Sequence, residues 1–444
     1  MRPEPAESSK SYNNDGINYK GPALNQSRNF GGMAFAAEKY LLEKMMRAIG
    51  DPPVQVVLWN GHEIQNSKGI MGAKVFISDR SALLKLVLDP ELNFGELYSA
   101  QRIEVQGNLL DFLEAIYRSW PLCNQVCNQG NIIKKLLTMF YDSRRNTISG
   151  SQRNIRHHYD IGNDFYKIWL DERMLYTCAY FPTPDTSLED AQLAKMDHVC
   201  RKLNLRPGES VVEAGCGWGA LALHMAKHYD VKVTAYNISK EQIAFARQRA
   251  LVEGLADKVV FVEDDYRNVS GEFDAFVSVG MLEHVGTDHY QELGAVIDRS
   301  LKSGGRGLIH SIGLNYPRPM DAWTERHIFP GACPPSLAQM MQIFEPYDFS
   351  VLDVENLRLH YAKTLEHWLQ RYDKNIDLVT EMFDMEFVRA WRLYLAGSLT
   401  AFKSGGMQLF QVSFARASQN DIPWTRQYLY EPQQPILGES NGKL

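Results

Sequence analysis

The sequence has no apolar run long enough to span a bilayer and no apolar stretch behind its opening M-R-P-E-P-A-E-S-S-K, so neither a transmembrane helix nor a secretory leader is expected. It also lacks an excess of positive charge. The 47 Lys and Arg against 53 Asp and Glu leave a formal net charge of −6, which gives no electrostatic case for nucleic acid. Cysteine is sparse: the six, at 123, 127, 178, 200, 216 and 333, lack paired zinc spacings and predict free thiols in a reducing compartment, with no metal. Cys123 and Cys127 fall one helical turn apart with no histidine beside them, and read as packing. Together these absences predict a cytoplasmic protein whose contact with a membrane is peripheral.

What is present is an ordinary globular composition: 444 residues, 45% hydrophobic and 23% charged, enough for two or three domains and a large core. Residues 1–30 are polar and rich in Ser, Asn, Gly and Pro, and predict a disordered tail. A small N-terminal α+β domain is expected over 31–120. Its amphipathic helix, 33–49, puts Phe35, Leu42, Met45, Met46 and Ile49 on one face, suited either to packing on its own domain or to lying on a bilayer. Strand-like runs at 54–59 and 74–77 are separated by the turn signal Asn60-Gly61, and helical patterns cover 81–88 and 109–117. No residue set here looks catalytic, so this domain should bind, position or dimerise. A linker follows over 121–152. Within it, 132–145 sets Ile132, Ile133, Leu136, Leu137 and Phe140 beside Lys134, Lys135, Arg144 and Arg145, a pattern that fits an anionic lipid surface or a helix docked between domains. A polar hinge, 146–152, leads into a catalytic domain over 153–420, and 421–444 is a C-terminal tail.

Strands and helices alternate in that domain: strand 211–215, helix 219–229, strand 231–236, helix 239–253, strands 258–263 and 274–279, helix 288–301, strand 306–312. The alternation predicts a doubly wound parallel sheet, which binds ligands beyond the carboxyl ends of its strands. The first strand runs into V-V-E-A-G-C-G-W-G at 211–219, with Gly215, Gly217 and Gly219 where backbone must turn sharply and approach a ligand. Glycines alone also fit an ordinary strand-to-helix turn. A dinucleotide site would need G-x-G-x-x-G and an acid about 20 residues on, whereas the spacing here is G-x-G-x-G, the next strand ends on Asn237, and there is no P-loop lysine. The strand ends carry Glu213, then Tyr236 and Asn237, then Asp265 and Tyr266, then Glu283 and His284, then His310. Ser239 can cap the following helix, Gln242 in its first turn faces the same crevice, and Glu283 and His310 converge on one side of it.

The run Glu213-x-Gly215-x-Gly217-x-Gly219 resembles motif I of the S-adenosylmethionine-dependent methyltransferases, which implies Gly215 and Gly217 against the methionine and ribose, Glu213 organising the amino group, and Tyr236 and Asn237 near the ribose. More specific are H-H-Y-D-I-G-N-D-F-Y (157–166), L-Y-T-C-A-Y-F (175–181), S-V-G-M-L-E-H-V-G (278–286), I-H-S-I-G (309–313), I-F-P-G-A-C-P-P-S (328–336) and H-Y-A-K-T-L-E-H-W (360–368). With the glycine run they resemble the cyclopropane fatty acid synthase family, which includes mycolic acid cyclopropane synthases, over about 150–415. L-N-F-G-E-L-Y (92–98) resembles the lipid-associated domain appended to the phospholipid-acting members.

That resemblance implies a Rossmann-like class I methyltransferase sheet with a smaller N-terminal α+β domain and helical cap insertions. It implies a carbonate or bicarbonate site at Cys178, Glu283, His310, Ile312 (through its backbone) and Tyr361. Around S-adenosylmethionine it implies Tyr159, Tyr176, Thr177, Gly215, Gly217, Asn237, Ile238, Gln242, Asp265 and Tyr266. Thr177 stands where serine is common and Glu213 where aspartate is common; both keep the functional group. The implied reaction adds the cofactor's methyl, as a methylene, to the double bond of an unsaturated acyl chain in a membrane phospholipid, through a carbocation that bound bicarbonate deprotonates to close a cyclopropane. A homodimer is implied as well. Two other outcomes stay open: a methylene- or methyl-branching fatty acyl methyltransferase, and a non-catalytic lipid-binding protein. The aromatic and Met-rich 319–344, with helices 361–372 and 385–402, fits either an acyl tunnel or the core of a cap over the sheet.

Overall fold

Residues 32–65, 73–119 and 161–430 are described by the structure, a computed structural model. The expected tail at 1–30, the basic segment 132–145, the hinge 146–152, Tyr159, Cys123 and Cys127 lie outside the described residues.

The N-terminal unit is a four-stranded sheet of β1 (Val54–Leu58), β2 (Glu63–Gln65), β3 (Ala73–Ile77) and β4 (Ile103–Gln106), in the order β2-β1-β3-β4. The Asn60-Gly61 turn is there, with Gly61 at φ +83, but it joins β1 to the three-residue β2 and not to β3. β3 instead runs parallel to β1, with Val56 opposite Val75. Two helices follow β3 without a break in polarity because capping residues punctuate them: Asp79 accepts from Ala82 N (3.0 Å) to start Arg80–Leu88, and Asp89 accepts from Leu92 N (3.2 Å), with Pro90 in the first turn, to start Pro90–Ser99. The helix Gly32–Ala48 buries Leu42 and Met46 in this unit's core, the first of the two roles open to it.

The larger sheet holds β5 (Ser210–Ala214), β6 (Lys232–Asn237), β7 (Val259–Glu263), β8 (Phe273–Val279), β9 (Leu301–Gly313), β10 (Phe349–Asn356) and β11 (Gln408–Arg416), in the order β10-β11-β9-β8-β5-β6-β7. β5 to β9 are parallel, as the alternation predicts; β11 lies antiparallel to β9 and β10 antiparallel to β11. The sheet is therefore mixed and not wholly parallel. The chain leaves β5 for β6 on one side and crosses to β8 on the other, so the crevice beyond β5 is the switch point where such sheets take ligands. This is a Rossmann-like doubly wound fold with an antiparallel pair added at one edge.

The N-terminal unit and the helical cap of the larger domain share one apolar core through the helix Met385–Ser404, which ends at Gly405 (φ +81) and packs on Pro90–Ser99 and Leu109–Ser119, while the larger sheet packs mainly in two cores of its own. Buried Arg389 donates from it to Tyr98 O (2.7 Å) and Glu104 Oε2 (3.1 Å), with its guanidinium 4.1 Å over the Tyr98 ring. Trp323 lies on Gly95, where a Cβ would come within 2.5 Å of the indole. Leu429, in the turn Gln427–Leu429, is buried, and its carbonyl accepts from Arg201 Nη1 at 3.0 Å. Among the described residues no helix is long and apolar enough to cross a membrane.

Candidate active site

β5 delivers Glu213 to the crevice and the chain then turns through Gly215, Gly217 and Gly219 at φ +86, +52 and +82, a region that L side chains rarely adopt. Gly215 N and Cys216 N both donate to Tyr236 O (2.9 and 3.1 Å), which ties the turn to the end of β6. The glycines meet different demands. A Cβ on Gly219 would stand 2.6 Å from Phe261 and 2.8 Å from Ala246, while one on Gly217 would meet nothing within 4 Å and enter open space. Gly219→Ala should therefore destabilise the fold by about 3 kcal/mol, adding overpacking to backbone strain. Gly217→Ala should cost about 1 kcal/mol of stability and instead weaken cofactor binding roughly tenfold. Melting curves beside cofactor titrations check both.

The turn opens on a cavity of about 130 Å³. Tyr176, Thr177, Glu213, Gly215 and Gly217 line it from one side; Tyr236, Asn237, Ile238 and Gln242 from β6 and the next helix; and Asp265 and Tyr266 from the end of β7. Asn237 Nδ2 donates to Gly217 O (3.2 Å) and Gln242 Oε1 (2.7 Å), so it braces the turn, and Ser239 Oγ accepts from Gln242 N at 3.4 Å. Asp265 accepts from Arg267 N (2.9 Å) and pairs with its guanidinium at 3.3 Å. Burial raises the Tyr266 phenol, whose hydroxyl finds no partner among the described residues.

Among the lining residues not expected from the sequence is a buried lysine. Lys195, in the helix Leu188–Lys202, is 1% exposed and donates to Thr177 Oγ1 at 3.0 Å. Burial pushes it down to about 8, against the pull of Asp171 and Glu213. Burial pushes Glu213 up to about 8, against the field of Lys195, and Glu213 Oε2 has no hydrogen-bond partner among the described residues. The signal was there in outline: Ala191, Lys195 and Val199 recur at i, i+4 on the buried face of that helix.

Cys178, Glu283, His310, Ile312 and Tyr361 line a second cavity, of about 1250 Å³. Tyr176, Thr177, Gly280 and His284 line both, so the two cavities adjoin. At this neck Gly280 has φ +74, and a Cβ on it would stand 2.9 Å from Thr177 Cγ2. Glu283 sits on the turn Leu282–His284 beyond β8, and its Oε1 accepts from Ile312 N at 2.5 Å. The Ile312 amide, expected to face a bound anion, is thus occupied by Glu283. Glu283 Oε2 is buried with no geometrically sound hydrogen-bond partner among the described residues, and burial pushes the carboxyl up to about 7 against the Ile312 amide and the nearby Ser311 hydroxyl. Gln411 on β11 places its amide nitrogen 3.0 Å from His310 Nδ1. Because that nitrogen carries the hydrogens, Nδ1 accepts and Nε2 holds the ring proton, with no partner among the described residues. Burial pushes His310 down to about 3, so the ring is neutral. Burial holds the Cys178 thiol well above its ordinary range, and its Sγ donates to Ala179 O at 3.1 Å. It is a neutral wall. The Tyr361 ring lies 4.5 Å from Phe402 and edge-on to Trp368 at 5.9 Å.

The cap divides its apolar residues between a cavity wall and a packed core. Trp323, Phe329, Leu365, Leu393 and Phe402 line the large cavity, whereas Met340, Ile343 and Phe344 pack into the core beneath β9 to β11. Tyr176 joins the cap through its hydroxyl, 2.6 Å from that of Tyr394.

A family described as mycolic acid cyclopropane synthetase matches residues 147–412, and a family described as a domain of unknown function matches 41–121. A probable fatty acid methyltransferase of Pseudomonas putida is 34% identical over 393 residues, covering 85% of this chain and 96% of the relative. Cyclopropane-fatty-acyl-phospholipid synthase of Escherichia coli K12 is 41% identical over 272 residues, 60% of this chain and 69% of the relative. Among solved structures, mycolic acid cyclopropane synthase CmaA1 complexed with SAH and CTAB superposes with a TM-score of 0.57 at 29% identity, over 60% of this chain and 98% of the other.

Proposed function

The chain belongs to the mycolic acid cyclopropane synthetase family, and from that premise we propose that it adds a methylene across the double bond of an unsaturated acyl chain in a membrane phospholipid. It is an S-adenosylmethionine-dependent methyltransferase, and the cofactor supplies an electrophilic sulfonium methyl. The observation that carries the proposal is the neck: the cavity under Gly215 and the apolar cavity holding Glu283 and His310 meet at Thr177 and Gly280. Glu213, the glycine turn, Asn237, Ile238 and Gln242, with Tyr236, Asp265, Tyr266, Tyr176 and Thr177, would hold the cofactor.

Cys178, Glu283, His310 and Tyr361 would hold bicarbonate, the base that takes a proton from the transferred methyl, while the Ile312 amide acts on the ion only through Glu283. Two orphaned buried atoms fit such an ion: the Nε2–H of neutral His310 is a donor, and Glu283 Oε2 is an acceptor. An anion beside Glu283 is tolerable only with a proton shared between the two, and a carboxyl pushed up to about 7 is suited to share one. Ile312 N fixes which carboxyl oxygen stays free. Keeping protein carboxylates off the cation while a small ion removes the proton avoids alkylating the enzyme. The apolar walls exclude water, which would otherwise capture the cation. A phospholipid substrate requires peripheral membrane contact, here from the cytoplasmic side, and we propose a homodimer.

The test is incubation with methyl-labelled cofactor and an unsaturated phospholipid, with and without bicarbonate, followed by product NMR. Cyclopropane ring signals that depend on bicarbonate are expected. The name of the Pseudomonas putida relative favours a second outcome, methyl or methylene branching, which weighs the same as a ring at the methylene stage but gives vinylidene signals. A chain that fails to bind the cofactor would instead be a lipid-binding protein.

A further inference from the structure

The large cavity does not end in the catalytic domain. Val54 and Val56 of β1 and Val75 and Ile77 of β3 also line it, and all four are at most 5% exposed. The register sets Val56 beside Val75 and Val54 beside Ala73, so these side chains share one face of the parallel pair. Ordinary cores close-pack and leave few voids larger than a water molecule. About 1250 Å³ exceeds the roughly 300–1,000 Å³ of ordinary small-ligand pockets. Such a volume, continuous from Glu283 to β1, has the dimensions of a site for a long apolar ligand.

The two ends of the cavity differ in polarity. Asn315, Tyr316, Arg318 and Asp321, only a few residues beyond β9, are exposed. Glu91 and Tyr117 of the N-terminal unit belong to that rim, since the charges of Asp321, Arg318 and Glu91 all act on Tyr117. Apart from these two, the described residues that the N-terminal unit presents to the cavity are apolar. A phosphate cannot enter a buried apolar end without a prohibitive desolvation cost.

We infer that the N-terminal unit is the blind end of the acyl site, with the β1–β3 face receiving the methyl-terminal carbons beyond the double bond. This rests on the proposed reaction and adds a role for the unit: it measures the length of chain beyond the reacting carbons. The Val56 and Val75 side chains set the depth, and the rim at Arg318 stays with the headgroup.

The test is a competition on the full chain with methyl-labelled cofactor. Mixed phosphatidylglycerol vesicles carry two acyl chains with the double bond at the same distance from the carboxyl carbon, differing by four carbons beyond it. Val56→Phe should lower the ratio of long-tailed to short-tailed product by about tenfold, the scale on which a pocket discriminates a few methylenes. Ile77→Ala should move the ratio the other way. Because both lipids compete in one tube, the ratio does not depend on how much enzyme is folded, and a rise cannot come from misfolding. Ratios unchanged in both variants while both lipids are labelled would overturn the inference and leave the proposed reaction standing. Label in neither lipid with the unsubstituted enzyme would sink the reaction, and this inference with it.

Discussion

Glu283→Gln is expected to slow methylene transfer by about 10²- to 10⁴-fold, the range that general acid–base groups supply, with cofactor affinity and melting temperature maintained. The substitution is close to isosteric. Gln Oε1 can still accept from Ile312 N, so the hydrogen bond that anchors the side chain survives. What is lost is the second oxygen as a proton acceptor. The wild-type carboxyl adds a pH dependence that the variant lacks. Its folded value of about 7 lies above the ordinary 4.5, so below about pH 7 Glu283 holds its own proton and activity should fall on the acid side. For stability the sign is opposite. Between 4.5 and about 7 the folded state binds more protons than the unfolded one, so this group's contribution is full below 4.5 and is lost as pH rises through 7. Glu283→Gln removes that loss and should melt at or above the wild-type temperature at pH 8. A collapsed melting temperature, or a retained rate with an unchanged pH limb, would contradict the proton relay.

Much of this arrangement was legible in residue order, for a physical reason. In a parallel sheet the ligand crevice lies beyond the strand ends, so finding the strands also finds Glu213, Asn237, Asp265, Glu283 and His310. What stayed hidden depended on non-local pairing. β10 and β11 are separated by three helices, and their partners cannot be read from local alternation. β2 has three residues, of which only Ile64 is buried, so the Asn60-Gly61 turn pointed to the wrong strand. Gln411 and Lys195 were missed because such side chains are mostly solvated, and only the tertiary fold shows them buried. Ile312 lines the large cavity, yet its amide goes to Glu283 and not to open space, a detail set by a turn from a different strand. Val54, Val56 and Val75 were legible only as parts of strand-like runs, because packing and cavity lining require the same apolar residues.

Lys195→Met is the other substitution with a large expected effect, a roughly 10- to 100-fold loss of cofactor affinity at pH 7, the scale of a hydrogen bond to a charged group. Methionine keeps much of the apolar stem and so much of the packing. At neutral pH the buried ammonium is itself a cost: its folded value of about 8 is below the ordinary 10.5, so its contribution to stability is present above 10.5 and lost as pH falls through about 8. Removing it should leave the melting temperature at pH 7 unchanged or raised. The damage falls on Glu213. With the lysine gone, the larger offset to the burial that already pushes this carboxyl up to about 8 is lost and only the Ala222 amide still opposes it, so it stays protonated further into the alkaline range. A protonated Glu213 is a poor partner for an amino group, and Thr177 loses the donor that fixes its hydroxyl. Affinity in the variant should therefore climb more steeply than in the wild type between pH 7 and 9, as titration calorimetry at both values would show. If Lys195 only fills space, the loss will be small and the same at both pH values.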